Sequence, residues 1–185
     1  MLFCKGKTFC PILSFHTYNL YLSFVSNPMG TYHTYLINLK WTGNLGTGTQ
    51  TYRGYTRDHV ISVEGKPDLL ASSDKAFRGN PERYNPEEML VASVSSCHML
   101  SYLHLCAANG VVVVEYTDKP MGKMVESADG SGRFEEVSLN PIIVVSEKAM
   151  IEKAISLHHD ANKICFIANS INFPVKHFPV ITSVD

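Results

Sequence analysis

Between Met89 and Ala108 apolar side chains fall on nearly every face of a helical wheel: Met89, Leu90, Val91, Ala92, Val94, Leu100, Leu103, Leu105, Ala107 and Ala108. A surface helix keeps a polar face, so this pattern predicts a long helix buried in a core. Asn85-Pro86-Glu87-Glu88 opens it. Proline fits the first helical position, where its missing N–H costs nothing, and the two glutamates place negative charge at the positive end of the helix dipole. Gly110 ends the helix. Alternation and β-branched runs predict strands over Tyr35–Trp41, Thr49–Arg53 and His59–Val63 before the helix. After it they predict strands over Val111–Tyr116, Lys123–Glu126 and Phe134–Val145, the last interrupted by Pro141, with Phe178–Val184 closing the chain. Turns fall at Gly43–Gly48, Glu64–Asp68 and Ala128–Gly132, and Asp74–Arg83 is a loop leading into the helix. Ser146 is a predicted N-cap for a second helix, with Glu147 in its first turn. Ile151, Ala154, Ile155, His158 and Ala161 or Asn162 recur there at helical spacing toward Cys165. Strands, helix, strands, helix and a last strand form an α+β order, not one of alternating parallel units.

With 185 residues and 45% hydrophobic content, the chain is long enough for one well-packed domain. Residues 1–28 read differently: Lys5 and Lys7 precede a mixed run from Phe9 to Phe24 broken by Pro11, His16 and Asn19. Lacking a clean apolar centre or a small-residue cleavage site, the segment reads as an extension outside the fold, with one domain over 29–185. A net charge of −1 leaves no basic footprint for nucleic acid. No unbroken apolar stretch reaches the roughly 18 residues of a membrane helix. The five cysteines, Cys4, Cys10, Cys97, Cys106 and Cys165, form neither a C-x-x-C nor a zinc-type cluster, and a reducing cytoplasm is the expected location.

Candidate chemistry concentrates where the helix carries Ser93, Ser95, Ser96, Cys97 and His98. A buried free cysteine is most often a small hydrophobe. Cys165, in or just after the second helical stretch, changes that picture, because packing one helix on the other would bring two thiols together. His158 and His159 are adjacent and so point apart, while His98 and His104 are six apart; neither has the i, i+4 spacing of a helical zinc pair. No metal or cofactor is expected, and His104 and Cys106 read as packing residues. Two other chemistries fit the same residues: a Cys–His hydrolase or acyltransferase using Cys97, and a non-catalytic protein binding a small apolar molecule between helices.

Asn-Pro-Glu-Glu at 85–88, then Ser-Ser-Cys-His-Met-Leu at 95–100, with Cys165 in a later helical segment, resembles the OsmC/Ohr family of thiol-dependent hydroperoxide reductases. Tyr55-Thr56-Arg57-Asp58-His59 and Phe77-Arg78-Gly79-Asn80-Pro81 resemble a divergent branch of it. The resemblance implies an OsmC-like fold, with antiparallel sheets around the central helix in an intertwined homodimer whose active sites lie at the interface. It implies that Cys97 attacks an organic hydroperoxide, that Cys165 resolves the product as a disulfide, and that a dithiol reductant of lipoyl type restores both thiols. Glu87 and an arginine complete the implied site. An arginine stays charged when partly buried and favours a thiolate beside it, and a glutamate orients it through paired hydrogen bonds. Arg78, in the loop before Glu87, is the preferred candidate for the role, with Arg57, in the early strand region, as the alternative. Ten positions along a straight helix separate Glu87 from Cys97 by about 15 Å. The two share a site only if the helix breaks or an arginine bridges them. Arg53 and Arg83 read as solvated charges.

Overall fold

Asn85 begins the long helix in the way its sequence requires. Its side chain accepts the Glu88 N–H at 2.8 Å while the Glu88 carboxylate accepts the Asn85 N–H at 3.1 Å, a reciprocal capping box with Pro86 in the first turn. The helix, α1, then runs unbroken from Pro86 to Ala108, and Gly110 leaves it at φ +70°, the left-handed turn that suits glycine. The computed structural model describes residues 30–185; the expected extension over 1–28, with Cys4 and Cys10, lies outside them.

Upstream of α1, β1 (Asn38–Trp41), β2 (His59–Ser62) and β3 (Leu69–Ala71) form an antiparallel sheet. The strand expected over Thr49–Arg53 is instead a pair of turns, closed by Gln50 N–H to the Thr47 carbonyl and Gly54 N–H to the Thr51 carbonyl. Its cause lies just upstream. The Asn44 side chain accepts the N–H groups of both Gly46 and Gly48, and both glycines take positive φ, so the chain curls before a ladder can form.

Downstream, β4 (Val113–Asp118) and β5 (Met121–Glu126) run antiparallel to β7 (Pro141–Val145) and β6 (Gly132–Leu139). The closing strands β8 (Val175–His177) and β9 (Val180–Ser183) lie parallel to β6 and β7, so these sheets are mixed and not purely antiparallel. The three paths break along one line, at Lys119-Pro120, Asn140 and Phe178-Pro179. Asn140 stitches the line: its N–H donates to Asp118 Oδ1 at 2.7 Å and its Nδ2 to the Lys119 carbonyl at 2.9 Å.

Helix α2 (Ile151–Ile164) packs on α1. It opens through a 3-10 turn at Lys148–Met150 with no side-chain cap. In place of the expected Ser146 cap, the Ser146 hydroxyl is directed at the Met150 sulfur, and its N–H stays in the sheet, donating to the Val112 carbonyl. Two apolar clusters flank the break line. Tyr102, Cys106, Val111, Ile143, Val145, Ala154, Leu157 and Ala161 lie on one side, and Val94, Val137 and Leu139 on the other.

Within one chain α1 buries only Val94, His98, Tyr102 and Cys106, a stripe at four-residue spacing, and Leu100 is 63% exposed. The all-round apolar pattern therefore exceeds what a single chain covers. Contrary to the expectation from continuous apolar runs, α1, at 23 residues, is also long and apolar enough by composition to span a membrane; its serines and histidines interrupt the run without making it polar overall. The same composition suits a core helix, and here its stripe packs on α2 and the sheets.

Asn85→Ala should lower unfolding stability by about 1 kcal/mol, since it removes half of the capping box. Ser146→Ala should change it by less than about 0.5 kcal/mol. Urea melts of the two variants check the contrast.

Candidate active site

Cys97 sits three residues beyond Val94 on α1, at the edge of the buried stripe, and is partly accessible. Cys165 follows the last turn of α2 as its C-cap, in extended backbone, and is fully buried. Packing of the two helices brings the sulfurs to 2.9 Å, with the Cys165 thiol directed at Cys97. Both are free thiols. The separation exceeds the roughly 2.05 Å of a disulfide by less than an ångström, so a covalent bridge needs only a small approach. Burial, with the Cys97 contact second, pushes the Cys165 thiol up to about 11, although the Ala168 N–H donates to its sulfur. Cys165 is therefore a poor nucleophile at rest, and the reachable thiol of the pair is Cys97. Cys106 lies deep in the core, its thiol also pushed up by burial.

Glu87 does not join the thiols. The helix does not break between them, and ten residues of rise keep the carboxylate about 15 Å away along the axis. Glu87 lines a cleft of about 710 Å³ with Phe77, Val91, Met121, Met124 and Phe134, and its Oε2 is buried without a hydrogen-bond partner.

Both candidate arginines gather instead on Tyr52. The Arg57 guanidinium lies 4.3 Å from the Tyr52 ring centre and 4.4 Å from that of Tyr55, while donating to the carbonyls of Tyr55 and Tyr52. Arg78 approaches the same Tyr52 ring at 5.9 Å. Its backbone is left-handed at φ +66°, an uncommon state for a non-glycine residue. The Asp74 loop imposes it: the Asp74 carbonyl accepts the N–H groups of Phe77 and Gly79, and a Cβ on Gly79 would stand 1.5 Å from the Ser73 carbonyl oxygen. Among the described residues neither arginine bonds to a carboxylate or to Cys97. Arg83 departs from its expectation of a solvated charge, since its Nη2 lies 3.8 Å from Asp58 with both side chains about three-quarters covered.

The residues that sequence reasoning missed are three histidines. His98 Nε2 and His158 Nδ1 are hydrogen-bonded at 3.0 Å, one nitrogen donating and the other accepting, and both rings are buried. His177 of β8 lies 5.6 and 5.9 Å from them, and Tyr102 stacks on His158 at 4.0 Å. The signal was the four-residue spacing of Val94, His98, Tyr102 and Cys106, which sets His98 facing α2. Burial and mutual repulsion hold His98 down to about 4 and His158 to about 3, and His177 is also lowered by burial. Turned inward, His98 makes no contact with the Cys97 sulfur that would serve a Cys–His hydrolase. Among the described residues no group of three histidine, cysteine or acidic side chains is arranged to hold a metal ion.

Residues 79–177, which include α1, both thiols and the histidine cluster, match the family described as OsmC-like protein. The chain belongs to the OsmC-like family. An OsmC-like protein of unknown function from Vibrio cholerae is 29% identical, with a TM-score of 0.71, covering 80% of this chain and all of its own. An organic hydroperoxide resistance protein from Elizabethkingia anophelis shares the fold at 19% identity and a TM-score of 0.59, covering 83% of this chain and 99% of its own. One from Legionella pneumophila does so at 14% identity and 0.60, with the same coverages. No curated protein matches the chain. OsmC-like membership fits the mixed α+β architecture and supports a redox role for the pair of thiols.

The lowered histidines make stability depend on pH. Their folded values lie below the ordinary 6.5, so the unfolded chain takes up protons first. The stability they lend is full above about pH 6.5 and is lost as pH falls toward 4. Unfolding free energy should drop by about 2 kcal/mol or more between pH 7 and pH 5. Denaturant melts at several pH values check this.

Proposed function

We propose that this OsmC-like chain is a thiol peroxidase that reduces organic hydroperoxides through Cys97 and Cys165. The observation that carries the reading is the pair of free thiols 2.9 Å apart, one accessible and the other buried with its ionisation suppressed. The Cys97 thiolate attacks one oxygen of the O–O bond, the alkoxide leaves and takes up a proton, and Cys97 becomes a sulfenic acid. Cys165 then attacks the Cys97 sulfur, forming the disulfide and releasing water. A dithiol, of the lipoyl class by family resemblance, takes the two oxidising equivalents and restores both thiols. The buried thiol suits the second step, because it becomes a nucleophile only against a sulfur already at contact.

The functional unit we propose is a homodimer. Two findings support it: the uncovered apolar side chains Leu100 and Ile37, each more than 60% exposed, and the unpartnered Glu87 oxygen in its cleft. An arginine delivered across an interface would pair with Glu87 and still reach a thiol, which one straight helix does not permit within a chain. Arg78 and Arg57 remain the candidates, both standing on Tyr52. The cleft beside Glu87 also favours a second reading, a non-catalytic binder of a small apolar molecule; a hydroperoxide-dependent loss of dithiol excludes it.

Cys97→Ser should abolish hydroperoxide reduction with the circular dichroism spectrum unchanged; retained turnover refutes the role of Cys97. One equivalent of hydroperoxide should give a Cys97–Cys165 bridge by non-reducing peptide mapping, and Cys165→Ser should leave a sulfenic acid that overoxidises as peroxide rises. Either Arg78→Ala or Arg57→Ala should slow the reaction about tenfold or more; the steady-state rates of both variants identify which arginine acts.

A further inference from the structure

The seam between α1 and α2 is mostly apolar, built from Tyr102, Cys106, Ala154, Leu157 and Ala161. Apolar burial is non-directional and does not by itself fix how far one helix slides along the other. Among the described residues, the single side-chain hydrogen bond joining the two helices, apart from the contact between the thiols, is the one from His98 to His158. It is directional and holds its atoms within about 0.3 Å of the optimum.

Its position relates it to the sulfurs. His98 follows Cys97 directly, and His158 precedes Cys165 by seven residues, two helical turns along the same side of α2. A slide of α1 along α2 that broke the histidine bond would carry Cys97 away from Cys165 by the same amount. Resting on the reading of these thiols as a redox couple, we propose that His98 and His158 are positioning residues: their hydrogen bond sets the helix register in which Cys97 and Cys165 meet.

The surroundings keep the pair in the bonding state. His177 of β8 and Tyr102 of α1 lie against the rings. The charged group facing them is Asp118 at the end of β4, its carboxylate held by Ser95 and the Asn140 N–H. His159, on the outer side of α2, acts on His177. The bond needs one lone pair and one proton between the two nitrogens, so double protonation breaks it.

Linkage makes this measurable without peroxide. If the bond sets the register that the disulfide needs, the disulfide stabilises the bond by the same amount. Below the thiol ionisation range, exchange between a protein dithiol and dithiothreitol consumes and releases equal numbers of protons. Any pH dependence there reports another titrating group. The equilibrium constant for Cys97–Cys165 disulfide formation against oxidised dithiothreitol should therefore hold from pH 7 to about 5 and fall as pH is lowered toward 3, where both rings take up protons.

At pH 7, His98→Phe and His158→Phe keep a ring in the core but lose the bond, and should lower that constant about tenfold, equivalent to about 30 mV. His98→Gln and His158→Asn, which return an amide near the bonding nitrogen, should recover to within about threefold of the native value. A folded phenylalanine variant whose constant stays within about twofold of native overturns the proposal. So does a native constant that is flat over the pH range, which decides the matter should those variants fail to fold. A native protein that forms no Cys97–Cys165 disulfide overturns the redox reading itself. A bridge that forms but ignores the histidines overturns only their positioning role.

Discussion

The contact that the rest of the structure depends on is the seam where Val94, His98, Tyr102 and Cys106 of α1 meet α2 and the broken sheets. Because these four residues recur every fourth position, a single line of the helix carries the packing of the chain's interior. The two apolar clusters occupy the ends of that line, and the polar groups fall between them: the histidines, the two thiols, and the Ser95–Asp118–Asn140 stitch at the strand breaks. Buried polar groups in such a place demand partners, and several here lack one, including His98 Nδ1, His158 Nε2 and the Tyr102 hydroxyl. A layer of this kind lowers stability compared with an apolar one but admits few alternative registers, as polar groups in otherwise apolar seams do in other helical pairs.

Much of this was legible in the sequence where a local rule sufficed. The helix start at Asn85-Pro86, the glycine exit at Gly110 and the turn at Ala128–Gly132 follow from short-range backbone chemistry, and the structure has all three. The meeting of Cys97 and Cys165 was open to the sequence as a possibility of helix packing and as what the family resemblance implies, and the structure has the two sulfurs in contact. What local rules did not reveal was which partner each side chain takes. The Asn44 side chain curls the chain at Gly46 and Gly48, just before Thr49–Arg53, and the Ser146 hydroxyl turns to the Met150 sulfur and not to a helix N–H. The histidine cluster escaped notice for a different reason: His98, His158 and His177 stand on three elements, and no spacing in the sequence relates them.

The arginines show where a chain's own geometry sets a limit. A guanidinium stacked on tyrosine and bonded to two carbonyls, as Arg57 is, has lost much of its freedom before any substrate arrives. Arg78 is held from the other direction, by a backbone turn that Gly79 alone makes possible. Arg57 is thus preorganised at its guanidinium and Arg78 at its backbone alone, and preorganised charge is what stabilises a developing thiolate or alkoxide most economically.

Neither arginine, however, meets the carboxylate that would complete it. Glu87 lies in the first turn of an unbroken helix, its free oxygen buried in a cleft, while Cys97 stands almost three turns farther along. A buried carboxylate oxygen without a partner is costly, and a chain that bore this cost alone would gain from an apolar residue at that position. The same helix leaves Leu100 in water although its sequence is apolar on nearly every face. In the dimer we propose, a second copy would cover the apolar face of α1 and bring a cation to Glu87. The unsatisfied glutamate and the uncovered leucine lie on the same helix, and the dimer we propose would serve the site as well as stability.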